Sequence, residues 1–333
     1  MTQKTQSDHG TAPDGKPLQA LEIGGPELQA RILTLGACLQ DLRLADHGPS
    51  LVLGYADPRA YARNPHKHGA IVGRYANRIA GGRFTLDGVT HALDRNENGI
   101  QTCHGGTEGT QTRSWEVLDH GADHVTLGLR LAAGHMGFPG ALDLRCSYRI
   151  EGASLWIDLQ GVSDAPTFCN LTNHAYLSLT GAPTTAGHRL WVDADEVLEV
   201  DDHLIPTGRT LNVAGTGLDF RDPAPLSVAV DHNFCLAPHR RALSRAARLE
   251  ADGLAMDLWT TEPGLQVYDG RALDTTGQAG LDGGTYGPHA GIALEPQAWP
   301  DAPNQDWAGQ ALLRPGETYH HQTRLAFSRT TAA

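Results

Sequence analysis

Nowhere in the chain do 18 apolar residues run together, and the segment from Met1 to Gly10 holds no apolar stretch of the kind that directs secretion. A membrane-spanning helix needs about 20 such residues, so none is expected. Basic residues are also few: 26 Lys and Arg, scattered, stand against 38 Asp and Glu, for a net charge of −12. Nucleic acids and anionic membrane surfaces are held by clustered Lys and Arg, so neither is expected as a partner. The five cysteines (Cys38, Cys103, Cys146, Cys169, Cys235) are far apart and never form C-x-x-C, so neither a disulfide framework nor a zinc knuckle is read. A soluble protein of a reducing, cytoplasmic compartment is expected. The chain also lacks a G-x-S-x-G elbow, a phosphate loop and a dinucleotide fingerprint, which argues against covalent acyl chemistry and a nucleotide cofactor. Among 17 histidines the closest pairs are His66-x-His68 and His320-His321, neither with a third ligand nearby, so no metal is predicted.

What is abundant is turn-forming and core-forming material: 39 Gly, 19 Pro and 40% hydrophobic residues against 19% charged. The recurrent pattern has period two, which places alternate side chains on opposite faces of a strand. Leu28, Ala30 and Ile32 show it, as do Val125, Leu127, Leu129 and Leu131. Leu142, Leu144, Cys146, Tyr148 and Ile150 continue it, and Leu155, Ile157 and Leu159 resume after Glu151-Gly152-Ala153, which reads as a β-hairpin. Leu254, Met256 and Leu258, then Thr323, Leu325 and Phe327, carry the pattern toward the C-terminus. Helix signals are sparse. Asp57 before Pro58 reads as an N-cap with proline at the first helical position, good for about two turns to Arg63, and a second helical piece is read around Ala237 to Ala247. Residues 1–16 are polar and read as a loose leader. No linker divides the remainder, so residues 17–330 are expected to form a single large antiparallel β-sandwich, all-β with few short helices.

One carboxylate stands out. Glu295 ends the apolar run Gly291-Ile-Ala-Leu and is followed by Pro296, which reads as a buried strand whose exit places the carboxylate where the sheet opens toward solvent. Partial burial raises a carboxyl pKa toward neutrality, as a general base requires. His174, read inside an alternating strand, is the imidazole best suited to titrate near neutral pH, and His104 precedes Gly105-Gly106, where the backbone can approach a ligand. Asn77 and Arg78 offer donors to a neutral polyol, and Asp231 an acceptor beside Phe234. Turn and core roles explain each of these residues alone. Together, a base, two imidazoles and neutral hydrogen-bonding groups suit proton transfer on an uncharged hydroxylated substrate.

At this point the chain resembles the aldose 1-epimerase (galactose mutarotase) family. The resemblance rests on Gly73-Arg-Tyr-Ala-Asn-Arg-Ile79, His104-Gly-Gly106, Gly137-Phe-Pro-Gly140, Thr172-Asn-His174, Leu204-Ile-Pro-Thr-Gly208 and Asp231-His-Asn-Phe234, in the family's order. It continues through Thr260 to Tyr268, Leu294-Glu-Pro-Gln297 and Leu313 to Tyr319, and spans about residues 10–328. It implies a β-supersandwich and cofactor-independent interconversion of the α and β anomers of a free monosaccharide such as glucose or galactose. By the same resemblance Glu295 is the base on the anomeric hydroxyl, His174 the acid on the ring oxygen, and His104 a second histidine near that oxygen. Asn77, Arg78, Asp231 and Gln266 match sugar-binding positions. A monomer or homodimer is expected.

The chain departs from the family at Thr110, where an aromatic is usual nearby, at Ser178 for Asn, and at Asp269-Gly270-Arg271 for Thr-Gly-Asn. Ala298-Trp299 also replaces a His-Phe-like pair. These positions are read as lining or supporting the sugar pocket, with Trp299 or Phe234 as a stacking face for a pyranose. The competing readings are a non-catalytic sugar-binding protein and a hexose-phosphate 1-epimerase, which needs basic residues beyond Arg78. A third is a carbohydrate-cleaving enzyme using Glu295 with Asp231.

Overall fold

The strand Leu142–Glu151 shows how the alternation becomes structure: Leu142, Leu144, Cys146, Tyr148 and Ile150 are buried while Asp143, Arg145 and Arg149 face solvent. It pairs with Ser154–Ser163 in a hairpin whose last rung is Glu151 opposite Ser154, so only Gly152 and Ala153 form the turn. The computed structural model describes residues 5–330. This hairpin lies within an eight-stranded sheet ordered Glu116–His120, His124–Leu131, Leu142–Glu151, Ser154–Ser163, Tyr319–Arg329, Leu254–Thr260, Ser244–Ala251, Arg189–Val192. A six-stranded sheet follows the order Tyr176–Leu177, Ile292–Gln297, Gly264–Tyr268, Asp231–Cys235, Glu196–Val200, Pro206–Asn212. Four strands between Thr5 and Leu44 make a third sheet. All the named strand pairs in these three sheets are antiparallel.

One core cluster takes side chains from all three sheets, among them Leu28 and Ile32, Leu144 and Leu155, and Leu265 and Ile292. Burying a side chain of that size stabilises the fold by roughly 1.5–3 kcal/mol over leaving it exposed. The helices are six short 3-10 segments among the described residues. The one read from sequence is Pro58–Arg63, with Asp57 accepting from the Arg59 N–H.

Three expectations change. Ala237–Ala247 is not helical: residues 237–243 bend, and Ser244–Ala251 is a strand between Arg189–Val192 and Leu254–Thr260. Alanine favours helix intrinsically, but Ala246 and Ala247 are fully buried in this ladder, and burial overrides propensity. Part of the leader is ordered: Thr5–Thr11 pairs with the strand Pro17–Gly24, while residues 1–4 lie outside the described residues. The strand carrying Glu295 does not end there. It runs through Pro296 to Gln297, because Tyr176–Leu177 pairs only with Ile292 and Ala293, so the ladder on that side stops before proline's missing N–H is needed.

Candidate active site

Glu295 lies in mid-strand with Gln266 directly across the ladder. Gln266 in turn donates from Nε2 to Asp231 Oδ1 at 2.7 Å. Neighbouring strands of the six-stranded sheet thus supply a carboxylate, an amide and a second carboxylate to one wall.

His174 is not inside a strand. It occupies the link between Thr172–Asn173, which pairs with Ile71–Val72, and Tyr176–Leu177, which pairs with the Glu295 strand. The link is fixed on both backbone groups: the His174 N–H donates to the Ala70 carbonyl at 2.8 Å, and its carbonyl accepts from the Gly69 N–H at 3.1 Å. This brings His174 Nε2 to 3.8 Å from Glu295 Oε2, with only 6% of His174 and 3% of Glu295 exposed.

His104 follows the strand Thr102–Cys103, which pairs with Arg78–Ile79. Its Nδ1 accepts from the Asn77 N–H at 3.3 Å, so the neutral ring carries its proton on Nε2. Its ring centroid lies 5.4 Å from that of His174. Gly105 must be glycine, because at φ +80° an added Cβ would sit 2.0 Å from the Gly73 carbonyl oxygen.

These residues line one cavity of about 600 Å³, within the usual range for small-molecule sites. All seven positions singled out in the sequence, Glu295, His174, His104, Asn77, Arg78, Asp231 and Gln266, are on its walls. Arg78 is less free than expected, since its Nε and Nη2 are held by both oxygens of Glu97 at 2.9 and 3.0 Å. Sequence reasoning missed Lys67, Glu97, Tyr176 and Tyr268, which also line it, as does Arg271, one of the positions read as lining or supporting the pocket. Of the four missed, only Tyr176 carried a usable signal, being two residues from His174.

Of the positions read as lining or supporting the pocket, Arg271 lines the cavity and the others do not. Thr110 is buried and donates to the Ile71 carbonyl, Ser178 is buried, and Asp269 accepts from the Arg271 and Val230 N–H groups; none of the three lines the cavity. Trp299 lines a separate groove and donates to the Pro263 carbonyl, and Phe234 is fully buried against Phe220. Neither offers a face to the cavity, whose aromatic walls are Tyr176 and Tyr268.

Burial pushes Glu295 up to about 8, helped by the charge of Asp231 and opposed by Lys67 and Arg78. Burial, with Lys67, pushes His174 down to about 3, and desolvation likewise holds His104 well below the usual histidine range. The buried pair therefore carries one proton near neutral pH. Among the described residues no group of three or more His, Cys, Asp or Glu is arranged to hold a metal ion.

The family described as aldose 1-epimerase matches residues 19–326. The chain is 35% identical to the galactose mutarotase of Sus scrofa, across 98% of this chain and 99% of that protein. It is 33% identical to the aldose 1-epimerase of Escherichia coli (strain K12), across 95% and 97%. Among solved structures, an aldose epimerase homologue from C. elegans superposes with a TM-score of 0.89 at 30% identity, covering 94% of this chain and all of that one.

Proposed function

The chain belongs to the aldose 1-epimerase family and interconverts the α and β anomers of a free aldose, and we propose that Glu295 and His174 are the acid–base pair that does so. The observation that carries the residue assignment is their approach, 3.8 Å between Nε2 and Oε2 at the buried end of a sugar-sized cavity. Carboxylate Glu295 takes the proton of the anomeric hydroxyl while imidazolium His174 gives its proton to the ring oxygen. The C1–O5 bond breaks to give the open-chain aldehyde. Rotation about C1–C2 and reclosure, with the two roles exchanged, give the other anomer. His104 supplies a donor from Nε2 near the same oxygen, and Asn77, Arg78, Asp231 and Gln266 hold the sugar hydroxyls.

Opening converts a carboxylate and an imidazolium into a carboxyl and a neutral imidazole. Burial favours that second, uncharged pair, as the opposite shifts of Glu295 and His174 indicate. The same shifts put the pair's one proton on Glu295 at rest, so the charged pair that opens the ring is the less populated arrangement, and its relaxation to the uncharged pair accompanies the proton transfers of opening.

A cytoplasmic residence, a monomer or homodimer, the absence of nucleic acid and membrane partners, and a single unit over residues 17–330 belong to this proposal. Supporting them are five unpaired cysteines, a core shared by three sheets, and no helix among the described residues long and apolar enough to cross a membrane. Polarimetry of freshly dissolved α-D-glucose and α-D-galactose tests the reaction. Glu295→Gln and His174→Asn proteins should fold normally and each lose about 10²–10⁴-fold in rate. Full rate in either would remove that residue from the mechanism.

A further inference from the structure

The cavity holds three cationic side chains, and they are not equivalent. Arg78 is closed in a two-point pair with Glu97. Among the described residues Lys67 donates only to the Pro65 carbonyl at 2.9 Å, with no carboxylate in ion-pair range. Arg271 makes no side-chain hydrogen bond among the described residues: its Nη2 lies 3.9 Å from Asp231 Oδ2 and its Nε 3.7 Å from Asp269 Oδ1, with the guanidinium carbon 5.8 Å from the Tyr268 ring centre. The guanidinium side chain is 38% exposed whereas that of Glu295 is 4% exposed, so Arg271 stands at the mouth and Glu295 at the floor. The segments carrying Lys67 and Arg271 meet, because His66 Nε2 is 2.9 Å from the Asp274 carbonyl oxygen. Two cations with unused donors thus stand on adjoining walls of one cavity.

We propose that Lys67 and Arg271 select an aldose bearing a carboxylate far from its anomeric carbon, a hexuronic acid, over the neutral sugar. This rests on the acid–base reading above. That reading places the anomeric carbon between Glu295 and His174, so a charge held at the mouth belongs to the far end of the substrate. The Arg271 guanidinium lies in ion-pair range of Asp231 and Asp269 but spends no donor in a hydrogen bond on either, so it still offers two parallel donors to a planar carboxylate. The acids on the same walls do not cancel this. Glu97 is taken by Arg78, and Asp231 Oδ1 by Gln266. Asp231 Oδ2 and Asp202 nevertheless leave the cavity unsuited to a doubly charged phosphate.

The test is the rate of anomer exchange, by polarimetry and by NMR, for D-galactose, D-galacturonate and glucose 6-phosphate at low and high salt. The expected result is a kcat/KM for galacturonate about tenfold or more above that for galactose, as one charge-assisted contact provides, narrowing with salt. In Arg271→Gln and Lys67→Met the ratio should fall toward one. Turnover of galactose with galacturonate slower, or a ratio unmoved in both variants, overturns the charge selection and leaves the mutarotase reading intact. Fastest turnover of glucose 6-phosphate overturns the carboxylate assignment. Calorimetric binding of both neutral and anionic sugars to the Glu295→Gln protein reads the same preference without turnover. Equal affinities there sink it even if no sugar is converted.

Discussion

At Glu295 the fold holds a carboxyl whose pKa rises from its ordinary 4.5 to about 8, so folding favours the protonated form. The stability this contributes is full below about pH 4.5 and is lost as pH rises through about 8. His174 behaves oppositely: its pKa falls from 6.5 to about 3, so its contribution is present above 6.5 and lost as pH falls through about 3. Urea unfolding of Glu295→Gln should therefore show a stability advantage over the parent that grows by several kcal/mol from pH 5 to pH 8.5, at about 1.4 kcal/mol per pKa unit. A constant difference across that range would contradict the burial argument. The pair holds one proton between about pH 3 and 8, so kcat/KM should stay level to about pH 8 and fall above it. Glu295 and His174, the pair proposed as base and acid, could be singled out in the sequence. Their separation could not, because 120 residues lie between them in the chain.

The working elements are short. His104 is set by a two-residue strand and a glycine turn, and His174 by a link between two-residue strands, so each owes its place to neighbours rather than to its own ladder. Gly105→Ala tests this. The left-handed backbone costs about 1–3 kcal/mol for a residue with a side chain, and the clash with the Gly73 carbonyl adds to it. Thermal unfolding should shift down and activity should fall with it. Gly48→Ala, where an added Cβ meets nothing within 4 Å, should change neither. Long alternating strands such as Leu142–Glu151 were readable because every second side chain faces the core. The two-residue strands were not, since a period cannot be seen in two residues. Ala237–Ala247 misled because its alanines favour helix alone and strand only against the neighbouring strand Leu254–Thr260.

Over the whole molecule, the core cluster joins the eight-, six- and four-stranded sheets. Leu155, fully buried in it, makes a probe: Leu155→Ala should cost about 2–5 kcal/mol. If residues 17–330 form one unit, far-ultraviolet circular dichroism and tryptophan fluorescence should report the same single transition in parent and variant, and separated transitions would divide the chain. The sequence by itself determined the all-β class, the large hairpin, the first helical turn and the chemical types at the site. Those follow from local periodicity, capping chemistry and resemblance, which are written along the chain. Only the tertiary structure decided that Pro296 continues a strand, that Trp299 and Phe234 lie away from the cavity, that Arg78 is closed by Glu97, that Arg271 stands at the mouth, and that it and Lys67 line the cavity with unused donors. Each of those depends on which distant segment lies alongside. Burial, pairing and charge neutralisation are properties of such neighbours, and one-dimensional order does not contain them.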